Sequence, residues 1–473
     1  MSDILGFEVS GLFGNRKITL RSVGNVLILV GPNGIGKSTV INAFYFFITR
    51  QWSRLLQYTF DEVAVLTTDG EIRASREEIF ERQRLQMVLS DLHPGSRPAK
   101  MVERLSESGL FEEFITKRSI SPIERKRYAD ALSTSTNEVI SLHHYLGRRL
   151  IETDERQDRY AAKTQLEQSL LKVMPGRALY LPTYRRIEKD LKEIFPGLDE
   201  KFRGYVSSES GQKFVRSANH YVDLVSFGME DVRENIARRT GGMRDYSLQQ
   251  YNELSALYLR DVIRGKGAAF TAKDINQLTD DRITEILNRV SEHALPAEDK
   301  ALLLKKVKAI QNKKKADIEV HDRFLAHYFT RLVAVSEEIA ERERDIAAFV
   351  EVCNAYLNPG KRMIYDEIAF TVKIEDQEGT PIDLSALSSG EKQIVSLFSH
   401  LYLDELRHQI VVIDEPELSL SVLWQKRFLK DILDSGRVSF LVAVTHSPFI
   451  YDNDLRKAAI DVRRATTIEG ALA

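Results

Sequence analysis

The chain has little that would suit it to an oxidising compartment or to a membrane. A single cysteine, Cys353, excludes a disulfide scaffold and a cysteine-based zinc site. No run of about 18 apolar residues occurs, so we expect no membrane-spanning helix. The first residues, MSDILGFEVSG, lack a basic segment followed by a long apolar stretch. We therefore expect no signal peptide and a cytoplasmic protein.

An excess of charge of one sign is also missing. Lys and Arg total 67, and Asp and Glu total 69, so the formal net charge is −2. Such a balance provides no general attraction to nucleic acid or to an anionic membrane. Hydrophobic residues make up 43% of the chain, which is the composition of a globular protein with a substantial core.

An apolar run followed by a glycine-rich loop stands near the start of the chain. Residues 26–30 read VLILV, which predicts a buried parallel strand, and residues 31–38 read GPNGIGKS. The pattern G-x-x-x-x-G-K-[ST] predicts a loop whose backbone N–H groups bind phosphate. A chance match is the alternative, but the preceding strand and the following helix-compatible stretch argue against it. The predicted ATP-binding residues are Gly31, Pro32, Asn33, Gly34, Ile35, Gly36, Lys37, Ser38 and Thr39.

Two of these residues have predicted roles of their own. The ammonium group of Lys37 is expected to reach the β- and γ-phosphates. The hydroxyl of Ser38 is expected to bind Mg²⁺, because this ion prefers oxygen ligands.

The rest of the chain alternates between α/β and helical patterning. The predicted segments are 1–75 (strands around the loop, with a hairpin turning at Asp69-Gly70), 76–174 (helical insertion), 175–190 (a strand), 191–361 (helical or coiled-coil insertion) and 362–473 (strands again). Apolar residues from Leu325 to Phe349 follow three- and four-residue steps, which predicts a helical hairpin or short coiled coil. We expect a break in the helix near residues 311–317.

Two apolar strands near the C-terminus end in residues suited to metal and water chemistry. Residues 409–414 read QIVVID, so Asp414 is predicted to bind Mg²⁺ and Glu415 to orient or deprotonate water. A second strand ends at Thr445-His446, and His446 is predicted to contact the γ-phosphate. An acidic turn and a structural histidine are the alternatives.

A second helix start with small residues lies between these regions. Residues 384–398 read LSALSSGEKQIVSLF, in which four candidate ATP-binding residues precede an apolar helix: Ser388, Ser389, Gly390 and Glu391. This pattern predicts another anion site at a helix N-terminus. One nucleotide does not need two separate phosphate sites from one chain. We therefore expect two chains to face each other, each completing the site of the other.

In four motifs the chain resembles ABC-type ATPase heads. GPNGIGKST is similar to the Walker A motif, LSSGEKQ to the signature, IVVIDEPE to Walker B, and VTHSPF to the switch-histidine motif. The resemblance implies an α/β fold, an ABC-type P-loop ATPase head assembled from both chain ends with a large inserted helical or coiled-coil region. It also implies hydrolysis of ATP to ADP and phosphate with Mg²⁺, in an ATP-dependent homodimer or higher oligomer.

The spacing of the motifs is similar to one branch of these ATPases. Lys37 and Ser388 are 351 positions apart (388 − 37), which resembles the Rad50, RecF and OLD-like branch. YLPTYRRIE and DEPELSLSVLWQ are most similar to ATPase subunits of bacterial anti-phage defence systems, such as the PARIS system. That likeness implies a switch that senses a phage-encoded trigger protein and controls a Toprim-type nuclease. Few residues follow Ile450, so we expect the nuclease on a partner chain.

Another function remains open at this point. A DNA repair or recombination ATPase of the RecF and Rad50 kind, which binds DNA directly, is the main alternative, and a transporter ATPase is a more distant one. A basic cluster predicts either a contact with DNA or an acidic partner, or a solvated helix face. Its members are Lys305, Lys306, Lys308, Lys313, Lys314 and Lys315.

Overall fold

The computed structural model describes residues 3–80, 82–83, 96–108, 110–117, 120–150, 166–174, 176–182, 221–223, 229–265, 280–289, 295–311 and 319–468. The chain divides into two units, Met1–Phe227 with Leu406–Ala473, and Gly228–Glu405. The strands and helices of the first unit are β1 (Ile4–Leu12), β2 (Arg16–Arg21), β3 (Val26–Val30), α1 (Lys37–Ile48), α2 (Trp52–Leu55), β4 (Glu62–Thr67), β5 (Gly70–Ser75), α3 (Arg97–Glu107), α4 (Phe111–Thr116), α5 (Pro122–Leu132), α6 (Thr136–Leu150), β6 (Ala178–Leu181), β7 (Tyr221–Asp223), β11 (Gln409–Asp414), α12 (Val422–Asp434), β12 (Val438–Val444), β13 (Ala459–Asp461) and β14 (Thr466–Ile468). Those of the second unit are α7 (Glu230–Ile263), α8 (Asp280–Arg289), α9 (Ala297–Gln311), α10 (Val320–Leu357), β8 (Lys361–Asp366), β9 (Thr371–Asp376), β10 (Pro381–Ile382) and α11 (Ser389–Tyr402).

A parallel six-stranded sheet forms the centre of the first unit. Its strand order is β13-β3-β12-β11-β6-β7, and every neighbouring pair is parallel. The continuous apolar runs of β3, β11 and β12 are buried, as expected for strands covered on both faces. The strands predicted at 26–30 and 409–414 are thereby confirmed, and the strand predicted to end at Thr445-His446 is present but ends at Val444. Because the strands are parallel, their carboxyl ends share one edge of the sheet.

Helix α1 is held between this sheet and a second one. The Phe44 ring lies 5.4 Å from the Phe7 ring on β1 and 5.9 Å from the Phe440 ring on β12. Each buried phenylalanine stabilises the unit by about 1.5–3 kcal/mol through removal of apolar surface from water. Packing of this helix therefore fixes its N-terminus at the carboxyl edge of the parallel sheet.

The second sheet of this unit is antiparallel, with the order β14-β2-β1-β4-β5. Its β4–β5 hairpin pairs Thr67 with Gly70, which confirms the turn predicted at Asp69-Gly70. Helices α3 to α6 have a separate apolar core that includes Leu105, Phe114 and Tyr128. The first unit thus combines the start of the chain with residues 406–473, while residues 362–405, which were predicted as part of the same head, lie in the second unit.

The second unit is built around a pair of long helices. α7 and α8 pack with α10 through an apolar cluster that includes Leu254, Phe329 and Leu332, so the apolar spacing predicted from Leu325 to Phe349 lies on a helix that packs against other helices. Arg342, a polar interruption in the apolar spacing, lies over the Tyr246 ring at 3.8 Å. α9 ends and α10 begins on either side of the predicted break, while residues 312–318 lie outside the described part. The second unit also contains a three-stranded antiparallel sheet, β10-β9-β8.

One strand lies where the sequence predicted helical patterning. Tyr221–Asp223, within the predicted 191–361 insertion, pairs with β6 as the edge strand of the parallel sheet. Three residues are too few to show the alternation by which a strand is recognised. Across the described ranges, every helix is too short or too polar to cross a bilayer.

Candidate functional site

The glycine-rich loop leaves β3 at the carboxyl edge of the parallel sheet and enters α1. Gly31, Gly34 and Gly36 have φ values of 146°, 78° and 95°, which side chains other than glycine rarely adopt. A Cβ atom at Gly31 would lie 3.4 Å from Asp461 Oδ1, whereas one at Gly34 would meet nothing within 4 Å. The loop therefore has the backbone freedom needed to curve its N–H groups around an anion.

Lys37 crosses back over this loop. Its Nζ donates to the carbonyl oxygens of Gly31 and Pro32, both at 2.9 Å, and the residue is 5% exposed. Burial lowers the pKa of the Lys37 ammonium below its usual value. The carboxylates of Glu415, Asp414, Glu417 and Asp461 oppose that shift. The cation is thus held against the loop backbone, where an incoming phosphate would replace neutral carbonyl acceptors with a charged one.

Ser38 and Asp414 meet although they are far apart in the sequence. The Ser38 hydroxyl donates to Asp414 Oδ1 at 3.2 Å. One residue starts α1 after β3, and the other ends β11, two strands away in the same parallel sheet. A hydroxyl and a carboxylate are hard oxygen donors, and Mg²⁺ is commonly held by one or two such groups together with phosphate and water. The pair fits the Mg²⁺ site that the sequence predicts.

Glu415 follows directly and has an unusual backbone. Its φ is 49°, in the left-handed region, and its N–H donates to the Val444 carbonyl at 2.8 Å. The carboxylate faces His446, with Oε1 and Nε2 3.8 Å apart. Burial raises the pKa of Glu415, and the carboxylates of Asp414 and Glu417 raise it further. A raised pKa makes this carboxylate a stronger general base.

Four more side chains join this centre, and sequence reasoning gave none of them a role. Glu417 accepts hydrogen bonds from the Thr445 hydroxyl at 2.7 Å and from the His446 N–H at 2.6 Å. Gln425 accepts one from the Ser447 hydroxyl at 2.6 Å. The only signal in the sequence is the second acidic residue of DEPE, which reads equally well as an exposed turn.

An aromatic side chain also lies against the glycine-rich loop. A Cβ atom at Gly36 would come within 2.7 Å of the Phe13 ring. Phe13 is 53% exposed and has a φ of 56°, an uncommon conformation for a bulky residue. Its segment, GLFG, connects β1 to β2, and no pattern in the sequence linked it to the loop.

The four signature residues lie in the second unit, at the start of α11. The Ser388 hydroxyl accepts from the Glu391 N–H at 3.4 Å, and the Glu391 carboxylate accepts from the Ser388 N–H at 2.6 Å. Lys361 Nζ donates to the same carboxylate at 2.7 Å. These contacts form a capping box, so Glu391 is engaged in its own unit while Ser389 and Gly390 occupy the first two helical positions.

Burial alone would raise the pKa of Glu391. The hydrogen bonds from Lys361 and Ser388 outweigh that effect and hold the pKa below its usual value. The carboxylate is therefore charged at neutral pH. Its negative charge interacts favourably with the positive end of the α11 dipole.

The structure thus brings the predicted loop residues together with Asp414, Glu415 and His446 in the first unit. Among known protein families, residues 270–452 match the model described as "AAA domain, putative AbiEii toxin, Type IV TA system". The match covers less than half of the chain and lies after the glycine-rich loop. It includes the signature, Asp414, Glu415 and His446. No curated protein sequence matches the chain.

Among solved structures, similar chains include two archaeal Smc heads. The Smc head domain of Pyrococcus furiosus, with an extended coiled coil and bound to the C-terminal domain of ScpA, has a TM-score of 0.34 at 14% identity and covers 99% of this chain and 96% of its own. The Smc head domain of Pyrococcus yayanosii, with a coiled coil and joint, has a TM-score of 0.29 at 17% identity and covers 95% and 93%. At such scores neither likeness carries an argument about this chain, and the α/β fold described above rests on its own strand order.

Proposed function

We propose that this protein binds and hydrolyses ATP at the carboxyl edge of its parallel sheet. The observation that carries the proposal is the 3.2 Å hydrogen bond between Ser38 and Asp414. It joins the phosphate-binding loop to the acidic strand end, beside a buried lysine and a carboxylate with a raised pKa. An acidic turn of purely structural origin would not need to meet the first turn of α1.

Each residue has a defined part in this proposal. The loop N–H groups and Lys37 hold the phosphates, and Ser38 with Asp414 would hold Mg²⁺, which supplies charge neutralisation when bound. Glu415 orients a water molecule and accepts its proton, because burial and the neighbouring carboxylates raise the pKa of its side chain. His446 faces the same carboxylate from the loop after β12 and would contact the γ-phosphate of bound ATP.

Replacement of Glu415 tests the hydrolytic part of the proposal. Glu415→Gln keeps the size of the side chain and leaves Asp414 in place, so ATP binding is retained. Loss of the general base slows hydrolysis by roughly 10²–10⁴-fold. Glu378→Gln, an exposed turn residue of the second unit, is the control and keeps wild-type turnover. Near-normal phosphate release from Glu415→Gln would assign water activation to another residue.

We propose further that two copies complete each other's sites. Ser389 is exposed at the first position of α11, so its N–H group suits an anion from another molecule, while Gly390, which follows it, is buried. The expected assembly is a homodimer or higher oligomer that forms when ATP is bound. Size-exclusion chromatography of Glu415→Gln with and without ATP and Mg²⁺ tests it, and an ATP-independent elution volume would count against it.

The finer role we propose is that of a switch in anti-phage defence. Support comes from the family description, which names a toxin of a type IV toxin–antitoxin system, and from the resemblance to defence ATPases. The switch would hold a separate Toprim-type nuclease and release it when a phage-encoded trigger protein binds. Co-expression with the nuclease encoded beside its gene, followed by affinity purification with ATP, tests this role. Tight binding of plain duplex DNA by the ATP-loaded chain alone would favour the DNA-repair alternative.

A further inference from the structure

The turn that follows Glu415 reaches across to the loop that carries His446. Glu417 uses both carboxylate oxygens there, one for the Thr445 hydroxyl at 2.7 Å and one for the His446 N–H at 2.6 Å. Thr445 is fully buried, and its N–H donates to the Leu29 carbonyl at 3.1 Å. The carboxylate therefore contacts a rigid residue and a functional residue at the same time.

The position of the His446 ring depends on its backbone. About a third of the side chain is exposed, and the ion-pair partner that the structure shows for its ring is Glu415, at 3.8 Å. Such a distance is too long for a strong hydrogen bond to fix the ring. We therefore infer that the hydrogen bond from the His446 N–H to Glu417 helps to position the ring, because it fixes the backbone that bears it.

A second link holds the same loop one residue further on. The Ser447 hydroxyl donates to Gln425 Oε1 at 2.6 Å, while Gln425 Nε2 donates to the Leu420 carbonyl at 2.8 Å. Gln425 is buried, on the first turn of α12. The segment after Glu415 thus holds the histidine loop at three successive residues.

Glu415 and Glu417 also belong to one stiff turn. Pro416 is buried between them and begins the short helix Pro416–Ser419, and its ring restricts the backbone. A shift of Glu417 therefore moves Glu415 as well. The side chain of Glu417 therefore links both members of the pair: it hydrogen-bonds the His446 backbone, and it belongs to the same turn as Glu415.

We propose that Glu417 is a positioning residue of the hydrolytic site. Its two hydrogen bonds set the distance between His446 and Glu415, so its part in the reaction is exerted through His446. The inference rests on the proposed ATPase function, because it assigns Glu417 a part in that reaction.

Two substitutions at this position separate hydrogen bonding from charge. Glu417→Ala removes both acceptors, and misplacement of a functional group lowers kcat by about 10- to 100-fold. KM for ATP stays within roughly threefold, because the phosphate-binding loop is unchanged. Glu417→Gln restores most of the rate, since its amide oxygen accepts from His446 and its NH₂ group donates to the Thr445 oxygen. Equal losses in both variants would overturn the hydrogen-bonding role.

A double-mutant cycle with His446→Ala provides a readout that a structural role would not change. If Glu417 acts through His446, Glu417→Ala has little further effect on kcat once the histidine is absent. Additive losses would overturn the inference, as would a fall in ATP affinity that accounts for the lost rate. Thermal unfolding of all variants shows whether the chain remains folded, and the Glu417→Gln rescue covers the case in which Glu417→Ala is unstable.

The same measurements distinguish the two proposals. Absence of ATP binding or hydrolysis in the wild-type chain overturns the proposed function, and the inference falls with it. A His446→Ala variant as active as wild type removes the role of the histidine, and it also overturns the inference. Wild-type hydrolysis with additive losses overturns the inference about Glu417 alone.

Discussion

Helices α1 and α11 both begin with small residues in phosphate-binding patterns, but their N-termini are completed in opposite ways. Within the described ranges, no side chain caps α1, its N-cap is Gly36 in a left-handed conformation, and its first turn has no acidic residue. α11 begins with a capping box between Ser388 and Glu391. An uncapped helix start leaves N–H groups for a ligand, whereas a capped one satisfies part of them internally.

This difference separates two uses of one local pattern. The start of α1 gains its missing acceptors when a phosphate binds, so ATP should stabilise the first unit directly. The capping box satisfies part of the start of α11 without a ligand, and it leaves a preformed edge at which Ser389 is exposed and Gly390 is buried. A preformed edge suits recognition of a nucleotide already held by another molecule.

The largest expected effect comes from removing the lysine at the start of α1, and the matched control removes Lys361, the β8 lysine that donates to the α11 capping box. Lys37→Ala deletes the cation that faces the phosphates, so ATP affinity falls by roughly 100-fold or more and hydrolysis is lost. Lys361→Ala deletes a cation of equal charge beside the α11 capping box, and ATP affinity of the isolated chain stays near wild type. Isothermal titration calorimetry measures both. Unchanged affinity in Lys37→Ala would refute the assignment of the loop.

A smaller but specific effect is expected from mixing variants of the two helix starts. Ser389→Arg places bulk on the exposed edge of α11, and like Lys37→Ala it leaves no active site when alone. In an equal mixture, half of the dimers pair the two variants and have one intact site, so roughly a quarter of the wild-type rate returns. Phosphate release measures the recovery, and native mass spectrometry confirms that mixed dimers form.

The matched control places both substitutions on one chain, so that the mixed dimers have no intact site. Mixed dimers of wild type with a Lys37→Ala, Ser389→Arg double variant contain two broken sites, so these dimers add no activity. Only the wild-type homodimers, a quarter of all dimers, are then active in the control, so both mixtures should give roughly a quarter of the wild-type rate. If α11 acts only within its own chain, the first mixture is inactive and the control keeps roughly half of the wild-type rate, and that result would refute the shared site.

An intermediate effect is expected from two glycines of the loop. Gly34→Ala and Gly36→Ala both place a side chain at a positive φ, which costs about 1–2 kcal/mol, and the free loop relaxes away from its ATP-binding conformation. Only at Gly36 does the new Cβ also meet the Phe13 ring. We expect weaker ATP binding in both variants and the larger loss in Gly36→Ala. Addition of Phe13→Ala should recover part of that loss; without recovery, the contact has no bearing on ATP.

The smallest effect concerns the α11 capping box. Ser388→Ala removes the cap and destabilises the second unit by about 0.5–2 kcal/mol, measured by urea denaturation. The pKa of Glu391 is depressed in the folded chain, so its contribution is present above its usual value of 4.5 and is lost as pH falls below it. The difference between wild type and Ser388→Ala should therefore shrink below about pH 4.5. A difference that does not change with pH would place the effect elsewhere.

Much of the site is local and therefore readable from the sequence. The loop from Gly31 to Ser38, the strand that ends at Asp414 and the helix that starts after Ser388 each depend on neighbouring residues only. Glycine supplies the positive φ, the apolar run supplies the buried strand, and a serine before an apolar helix supplies the cap. These segments were predicted with nearly correct bounds because their physical causes act over a few residues.

Other parts depend on contacts between distant residues. Glu417 meets Thr445 and His446 across a parallel strand pair, and Phe13 meets Gly36 between a hairpin turn and a loop. Tyr221–Asp223 forms a strand only because β6 offers an open edge. No periodicity in the sequence indicates these contacts, since each depends on which strands become neighbours.

The sequence by itself therefore determined the chemistry that is available: a glycine-rich anion loop, a lysine, an acidic strand end and a capped helix start. The tertiary structure alone decided how these groups are combined. The strand order places β3 and β11 on either side of β12, so that Ser38 reaches Asp414 and His446 faces Glu415. Strand order follows from burial and packing of the whole unit, and local residue preferences do not specify it.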